Sequence, residues 1–109
     1  MCSDRRIGAS YLKPGLGYAG PCFPRDNIAM SVLARRAGLS ADIADSTDAV
    51  NRRQAGRIVD RVRSLADSGT VGVLGLAYKP GSDVLEASQG LEIATRLSTL
   101  GYRVLVHDP

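Results

Sequence analysis

The cysteine at position 22 is the residue best placed to form a covalent intermediate. Cys22 comes two residues before Pro24, and Pro is favoured at the first position of a helix, so we predict that a helix begins there. The positive end of the helix dipole stabilises a thiolate, and Arg25 adds a full positive charge nearby. A thiolate can attack an aldehyde and hold the acyl group as a thioester. Asp26, in the first helical turn, is expected to reach a water or proton near the sulfur.

A simpler interpretation of the same residues stays open. Free Cys is among the most buried residue types, so Cys22 could serve only as a small apolar residue. Asp26 could then do no more than favour the positive end of the helix. Cys22 by itself therefore does not decide between chemistry and packing.

The glycine-rich segment GLGYAG at residues 15–20 spells the G-x-G-x-x-G pattern of dinucleotide-binding proteins. That fingerprint needs a strand before it and a helix that opens within it, so that the pyrophosphate lies at the helix N-terminus. Here Lys13-Pro14 precedes the glycines and Pro21 follows them. We therefore expect an ordered loop, whose main-chain N–H groups can still approach phosphate or sugar oxygens closely.

Two helices are predicted after this loop. The first runs from Pro24 to a stop at Gly38, and Asp26 suits its positive end. The second runs from about Ala41 to Ala66, because apolar residues recur there at steps of three and four. Those apolar positions are Ala55, Ile58, Val59, Val62 and Leu65.

A strand, a helix and a second strand are predicted to follow Ser68-Gly69. Residues 71–76 form a short apolar run, which is typical of a buried strand, and residues 102–106 form the second strand. Ser88 is a plausible cap of the helix between them, and Gly101 a plausible end. Its apolar side comprises Leu91, Ile93, Ala94, Leu97 and Leu100. This order predicts a parallel right-handed crossover unit.

The predicted fold class is therefore mainly α with a short α/β part. We expect residues 1–69 to form the loop and a helical, dimerising region. Residues 70–109 are expected to form the first strand-helix-strand unit of an incomplete, doubly wound parallel sheet.

The amino-acid composition argues against one class of binding partner and favours another. Only 5% of the 109 residues are aromatic and Trp is absent, so we expect no nucleic-acid partner despite the net charge of +3. All but Lys13 and Lys79 of the 14 basic residues are Arg, which suits planar contacts with carboxylate and phosphate. An anionic small molecule fits that bias.

Neither a disulfide framework nor a metal site is predicted. Cys2 and Cys22 have no spacing that links them to the lone His107 as metal ligands. No apolar run approaches the roughly 20 residues of a membrane span, and MCSDRR lacks the apolar stretch of a signal peptide. We therefore expect a cytoplasmic protein that does not associate with a membrane.

The segment PGLGYAGPCFPRD at residues 14–26 closely resembles the active-site signature of the UDP-glucose/GDP-mannose dehydrogenase family. In that family a glycine-rich substrate loop leads into a nucleophilic Cys, which Phe-Pro-Lys-Asp follows. GLAYKPGSD at 75–83 resembles the start of the family's nucleotide-sugar-binding domain, and VHDP at 106–109 resembles the end of that domain's second strand. The resemblance implies an internal piece of an NAD-dependent enzyme that oxidises the C6 alcohol of a UDP- or GDP-sugar to a uronate, through a Cys thiohemiacetal and thioester.

Roles follow from this resemblance residue by residue. Cys22 would be the nucleophile, Asp26 would help to activate the hydrolytic water, and Arg25 would stand where the family's Lys approaches NAD. The residues implied to contact the substrate are Arg6, which would reach into a neighbouring subunit, and Lys13, Pro14, Gly15, Leu16, Gly17, Tyr78 and Lys79. Without the resemblance, Arg6 and Lys79 could equally be solvated surface charges.

The resemblance to the family also implies an oligomer. Val50-Asn51 and Gln54 resemble the start of the family's long dimer helix, so we expect a homodimer or higher oligomer through residues 41–66. The alternative is a helix that packs only on its own domain.

The sequence also departs from the family. Ala19-Gly20 replaces a pair of glycines, and the added methyl group is expected to crowd the substrate loop. Glu86 stands where an Arg is usual, and its charge would repel a pyrophosphate. The family's NAD domain and catalytic Lys lie outside these 109 residues. We therefore do not expect this chain alone to bind NAD or to turn over, and a truncated, non-catalytic dimerisation or interaction module remains the alternative.

Overall fold

Three helices and two strands make up the described part of the computed structural model, which comprises residues 3–8, 10 and 15–109. Helix α1 spans Phe23–Arg36 and helix α2 spans Asp42–Leu65. Strand β1 (Thr70–Leu74), helix α3 (Gln89–Thr99) and strand β2 (Arg103–His107) follow. The predicted fold class, mainly α with a short α/β part, is confirmed.

Local signals place the ends of α1. Cys22 is the residue immediately before the helix, which begins one residue earlier than predicted and has Pro24 in its first turn. Asp26 in the first turn and Arg35 in the last turn both suit the helix dipole. Gly38 follows with φ of +72°, a conformation that favours glycine and ends the helix.

Helix α3 has the predicted cap at Ser88. The Ser88 hydroxyl accepts a hydrogen bond from the Leu91 N–H at 3.3 Å and donates one to the Leu76 carbonyl at 2.5 Å. The cap therefore also ties α3 to the loop after β1. On the predicted apolar side of α3, Ile93, Ala94 and Leu97 are buried, whereas Leu91 and Leu100 are 37% and 48% exposed.

The two strands pair in parallel, with Val71 opposite Val104. Strand β1 ends two residues earlier than predicted, because Gly75 has φ of +91° and leaves the extended conformation, although its N–H still donates to the His107 carbonyl at 2.8 Å. The prediction of a buried strand was also wrong. Helix α3 packs on the sheet while alternate residues face outward, and Leu74 is 83% exposed.

The hydrophobic core joins the two halves of the chain. It consists of Ala55 and Val59 from α2, Ile93 and Leu97 from α3, and Tyr102. The Tyr102 hydroxyl donates to the carbonyl of Ala66 at 2.5 Å, at the end of α2. The core therefore draws on both sides of the predicted boundary between residues 69 and 70, and the division into two domains stays a prediction.

Candidate functional site

The loop at residues 15–20 is held against α2 through its main chain. The Tyr18 N–H donates to Asn51 Oδ1 at 3.0 Å, and Asn51 Nδ2 donates to the Tyr18 carbonyl at 2.8 Å. One side-chain amide thus satisfies both main-chain groups of a single loop residue. These two hydrogen bonds fix the position of the loop along the axis of α2.

The Tyr18 side chain forms a second attachment. Its hydroxyl donates to Asp48 Oδ1 at 3.1 Å and accepts from Asn27 Nδ2 at 3.4 Å. Asn27 Nδ2 also donates to the Ala44 carbonyl at 2.8 Å, so the phenol links the loop to α1 and α2. Partial burial, and then the hydrogen bond to Asp48, raise the pKa of the Tyr18 phenol above its ordinary value.

Two glycines let the loop approach its neighbours closely. A Cβ at Gly17 would clash with Asn51 Oδ1 and with Gln89 Nε2. Gly20 has φ of +84°, and a Cβ there would lie 2.6 Å from Cδ2 of Tyr78. The Gly20 N–H also donates to the Glu86 carbonyl at 2.9 Å. The loop therefore contacts α2 and the 78–89 segment together.

Cys22 lies at the positive end of α1 and is exposed. Its carbonyl accepts the Asp26 N–H at 2.8 Å as part of the first helical turn. The Asp26 carboxylate pairs with Arg25 Nε at 2.8 Å. The hydrogen bond and charge of Asp26 raise the pKa of the Arg25 guanidinium, and the charges of Cys22 and Glu86 act in the same direction. Cys22 and Asp26, which were predicted to be catalytic, are thus neighbours of Arg25, which was predicted to approach NAD, at one helix end.

An open cleft of about 640 Å³ lies between the loop, β1 and the start of α3. Tyr78 and Lys79 line it, and Lys79 Nζ lies 5.3 Å from the centre of the Tyr78 ring. Gly15, Leu16 and Gly17 also line it. A cationic, partly aromatic surface together with exposed main-chain groups is suited to an anionic ligand with a flat ring.

Asp108 closes the carboxyl end of the sheet beside this cleft. Its Oδ2 accepts the Ala77 N–H at 2.6 Å and also the Leu76 N–H. These two hydrogen bonds hold the pKa of the Asp108 carboxyl below its ordinary value. The carboxylate therefore fixes the turn that leads to Tyr78.

Among the described residues, the predicted site residues fall into two groups, and Arg6 belongs to neither. Cys22 is not among the residues that line the cleft, so the thiol and the Tyr78-Lys79 wall are neighbouring features rather than one pocket. Arg6 is 89% exposed in its side chain and pairs with Asp4 at 2.8 Å. Lys13 and Pro14 lie outside the described residues.

Sequence reasoning missed Tyr18, Asn51, Asp48 and Gln89 as residues that build the site. Asn51 lies four residues before Ala55, so it continues the buried stripe of α2 as a polar residue, and Asp48 lies one turn earlier. A polar residue in line with a buried stripe is expected to have a hydrogen-bonding partner. The sequence therefore indicated that Asn51 has a hydrogen-bonding partner, but it did not indicate that this partner is Tyr18.

Among the described residues, the glycine-rich segment lacks the flanking elements of a dinucleotide-binding fingerprint. Residues 15–22 are neither helix nor strand, and α1 begins only after Gly20, so the glycines do not open a helix. Within the described ranges, no group of His, Cys, Asp and Glu is arranged to hold a metal ion. None of the helices described is long and apolar enough to cross a membrane.

Two segments of the chain match models of known protein families. Residues 1–53 match the central domain of the UDP-glucose/GDP-mannose dehydrogenase family, and residues 72–109 match its UDP binding domain. The chain belongs to the UDP-glucose/GDP-mannose dehydrogenase family. The UDP-glucose 6-dehydrogenase TuaD of Bacillus subtilis is 36% identical over 109 residues, covering 97% of this chain and 24% of the relative. A UDP-glucose 6-dehydrogenase of Pseudomonas aeruginosa is 36% identical over 113 residues, covering 100% and 25%.

Solved structures of dehydrogenases share the fold. A UDP-glucose dehydrogenase from Pyrobaculum islandicum superposes with a TM-score of 0.88 at 39% identity, over 97% of this chain and 25% of that one. A GDP-mannose dehydrogenase from Pseudomonas aeruginosa superposes with a TM-score of 0.78 at 28% identity, over 96% and 24%. This chain therefore spans about a quarter of the length of the family members that it matches.

Proposed function

We propose that this chain supplies the nucleophilic cysteine and part of the nucleotide-sugar site of an NAD-dependent 6-dehydrogenase that converts a UDP- or GDP-sugar to its uronate. One observation carries the proposal. The loop at residues 15–20 leads into Cys22, which lies at the positive end of α1. Gly20 of the same loop lies against the ring of Tyr78. The two motifs that resemble the family are thus adjacent in space as well as present in the chain.

The thiol of Cys22 would work on the C6 aldehyde. The thiolate attacks the carbonyl carbon to form a C–S bond, and the carbonyl oxygen takes a proton to give a thiohemiacetal. Once the carbon has been oxidised to a thioester, water attacks it, the C–S bond breaks and the uronate leaves. The positive end of α1 and the charge of Arg25 favour the thiolate as both nucleophile and leaving group.

Asp26 would assist the hydrolytic step. Its carboxylate lies in the first turn of α1, within the same helix end as the sulfur, and is 63% exposed in its side chain. An exposed carboxylate can accept a proton from a water molecule as the water attacks the thioester. Its ion pair with Arg25 fixes the direction in which one of its oxygens points.

The nucleotide sugar would lie against the Tyr78-Lys79 wall of the cleft. Lys79 offers a point charge to the diphosphate, and the main chain at Gly15 and Gly17 is exposed to the same space. In a complete enzyme NAD would accept the hydride. We expect the chain alone to show no increase in NADH absorbance with any nucleotide sugar, because hydride transfer needs a bound nicotinamide and the glycine-rich loop lacks the strand and helix of an NAD site.

Alkylation of Cys22 provides the test. In a Cys2→Ser background Cys22 is the only thiol, and UDP-glucose or GDP-mannose at millimolar concentration is expected to slow its reaction with iodoacetamide. Lys79→Ala should reduce the protection, and added salt should weaken it because the diphosphate is recognised by charge. Lys79→Arg is the matched control that keeps the charge. Equal alkylation rates with and without nucleotide sugar would contradict the proposal.

A second candidate, a non-catalytic interaction module, is favoured by one observation. Apolar side chains along α1 and the start of α2 are exposed, including Leu33 at 61% and Ile43 at 85%. Such a surface is typical of a protein interface. The nucleotide-sugar protection experiment separates this candidate from the first, because an interface alone gives Cys22 no ligand.

A further inference from the structure

Two side-chain amides join the loop, α2 and α3 through one oxygen atom. Asn51 Oδ1 accepts the Tyr18 N–H at 3.0 Å, and it also accepts Gln89 Nε2 at 3.0 Å. Asn51 lies on α2, whereas Gln89 is the first residue of α3. The loop is therefore connected to the nucleotide-binding half of the chain by a defined set of hydrogen bonds.

The orientation of both amides is determined by the loop. Asn51 donates to the Tyr18 carbonyl as well as accepting from its N–H, so rotating its amide would break both bonds. Gln89 in turn cannot reverse, because its Oε1 would then face the Asn51 oxygen. The main chain of Tyr18 thus fixes one amide, and that amide fixes the other.

The buried side-chain amide of Gln89 reduces the free energy of unfolding. Gln89 is only 7% exposed, and its Oε1 has no hydrogen-bond partner among the described residues. A buried acceptor without a partner is unfavourable, and an apolar side chain of similar size would avoid that penalty. Among the described residues, the bond from Gln89 Nε2 to Asn51 is the side-chain hydrogen bond that offsets this cost.

The side chains of Asn51 and Gln89 lie close to the loop and line the two clefts beside it. Gly17 leaves no room for a Cβ between Asn51 and Gln89. Gln89 lines the cleft that contains Tyr78 and Lys79, and Asn51 lines a neighbouring groove with Leu16. A shift of either amide would therefore move the loop relative to the cleft wall.

We propose that Asn51 and Gln89 are positioning residues, which hold the loop at 15–20 in register with the Tyr78-Lys79 segment and so set the affinity for the nucleotide sugar. The part that concerns affinity rests on the function proposed above. The part that concerns the loop stands on the hydrogen bonds alone. Neither residue needs to touch the ligand for this role.

The Tyr18 amide provides a local readout. In Gln89→Met, which removes the donor and the orphan oxygen together, hydrogen exchange of the Tyr18 N–H is expected to rise roughly tenfold, the factor for one lost hydrogen bond. Amides of β1 and β2 should exchange as before, because a local loosening leaves the sheet intact. UDP-glucose, titrated into the same samples, should bind more weakly by a similar factor.

Two further variants complete the experiment. Gln89→Ala removes the same donor without adding bulk and is measured alongside, so that a folding failure of the Met variant decides nothing. Gln54→Met is the matched control, since Gln54 Nε2 donates to the Val50 carbonyl of its own helix at 3.0 Å. Gln54→Met should leave the Tyr18 amide and the affinity unchanged.

The outcomes separate this proposal from the proposed function. Unchanged Tyr18 exchange in both Gln89 variants would overturn the positioning role, as would unchanged UDP-glucose affinity in a chain that binds it. A chain that binds no UDP-glucose in any form would count against the proposed function. The exchange of the Tyr18 amide would then decide by itself whether the amide pair holds the loop.

Discussion

Gly20 lies against the ring of Tyr78, so closely that a Cβ on Gly20 would fall 2.6 Å from the ring. The two residues belong to separate motifs, and Gly20 has φ of +84°. The contact requires glycine for two reasons, conformation and space.

Gly20→Ala is therefore expected to destabilise the chain. The left-handed conformation alone costs about 1–2 kcal/mol for a residue with a Cβ, and the ring of Tyr78 must also move. Chemical denaturation measures the loss in the free energy of unfolding. Gly15→Ala is the control, because nothing lies within 4 Å of a Cβ there and its φ is unremarkable. Equal losses in the two variants would show that the ring contact and the backbone conformation are unimportant.

Gly90→Ala should be more damaging than an ordinary helix substitution. Its Cβ would clash with the Gly75 carbonyl oxygen, a main-chain atom that cannot turn aside. We expect a loss of about 2 kcal/mol or more, comparable with overpacking in a core. Gly56→Ala in α2 is the contrast. Its Cβ would meet only the mobile end of Arg96 at 3.3 Å, so a gain of about 0.5–1 kcal/mol from helix propensity is expected. Thermal melting of the two variants should shift in opposite directions.

Tyr18→Phe removes the hydroxyl that links the loop to Asp48 and Asn27. The free energy of unfolding at neutral pH should fall by about 1 kcal/mol, the usual contribution of one hydrogen bond. Because the folded-state pKa of Tyr18 is raised above 10.0, the stability that it contributes is present below that pH and is lost as the pH rises through the folded value. The difference between the parent chain and the variant should therefore shrink in alkaline solution. A constant difference across pH would contradict the assignment.

Asp108→Asn should act at the opposite end of the pH range. The hydrogen bonds from Ala77 and Leu76 hold the pKa of the folded-state carboxyl below 3.8, so its contribution is present above that pH. The contribution is lost as the pH falls through the lower, folded value. The variant should consequently be less stable than the parent near neutrality and should approach it in acid. Asp67→Asn, at an exposed carboxylate between α2 and β1, is the control for removing one negative charge.

The exposed apolar side chains predict self-association. We expect the chain to sediment as a homodimer or higher oligomer at tens of micromolar, through the helical region at residues 41–66. Ile43→Glu should weaken the association, because Ile43 is 85% exposed in the single chain. Ser46→Glu is the comparison variant, because it adds the same charge one turn away at a polar, exposed position. A clean monomer of the parent chain would remove the interface argument.

Signals within a few residues of one another determined the helices from sequence. Pro24 and Asp26 marked the start of α1, Gly38 its end, and Ser88 the cap of α3. These features act through local dihedral angles and local hydrogen bonds, so they need no knowledge of the rest of the fold. The Cys22 motif was visible for the same reason. The extent of β1 was misjudged because the apolar run continues to Leu76, whereas the strand ends where Gly75 has φ of +91°.

Tertiary structure decided how those elements meet. Tyr18 and Asn51 lie 33 positions apart, and Asn51 and Gln89 lie 38 apart. Hydrophobic periodicity states which face of α2 is buried, but it does not state which segment covers that face. The same limit explains the exposed side of β1, since an apolar run is consistent with burial on two faces while this chain covers only one. The family motif around Cys22 could therefore be recognised from sequence, whereas the attachment of its loop to Tyr78 and Gln89 required the packed structure.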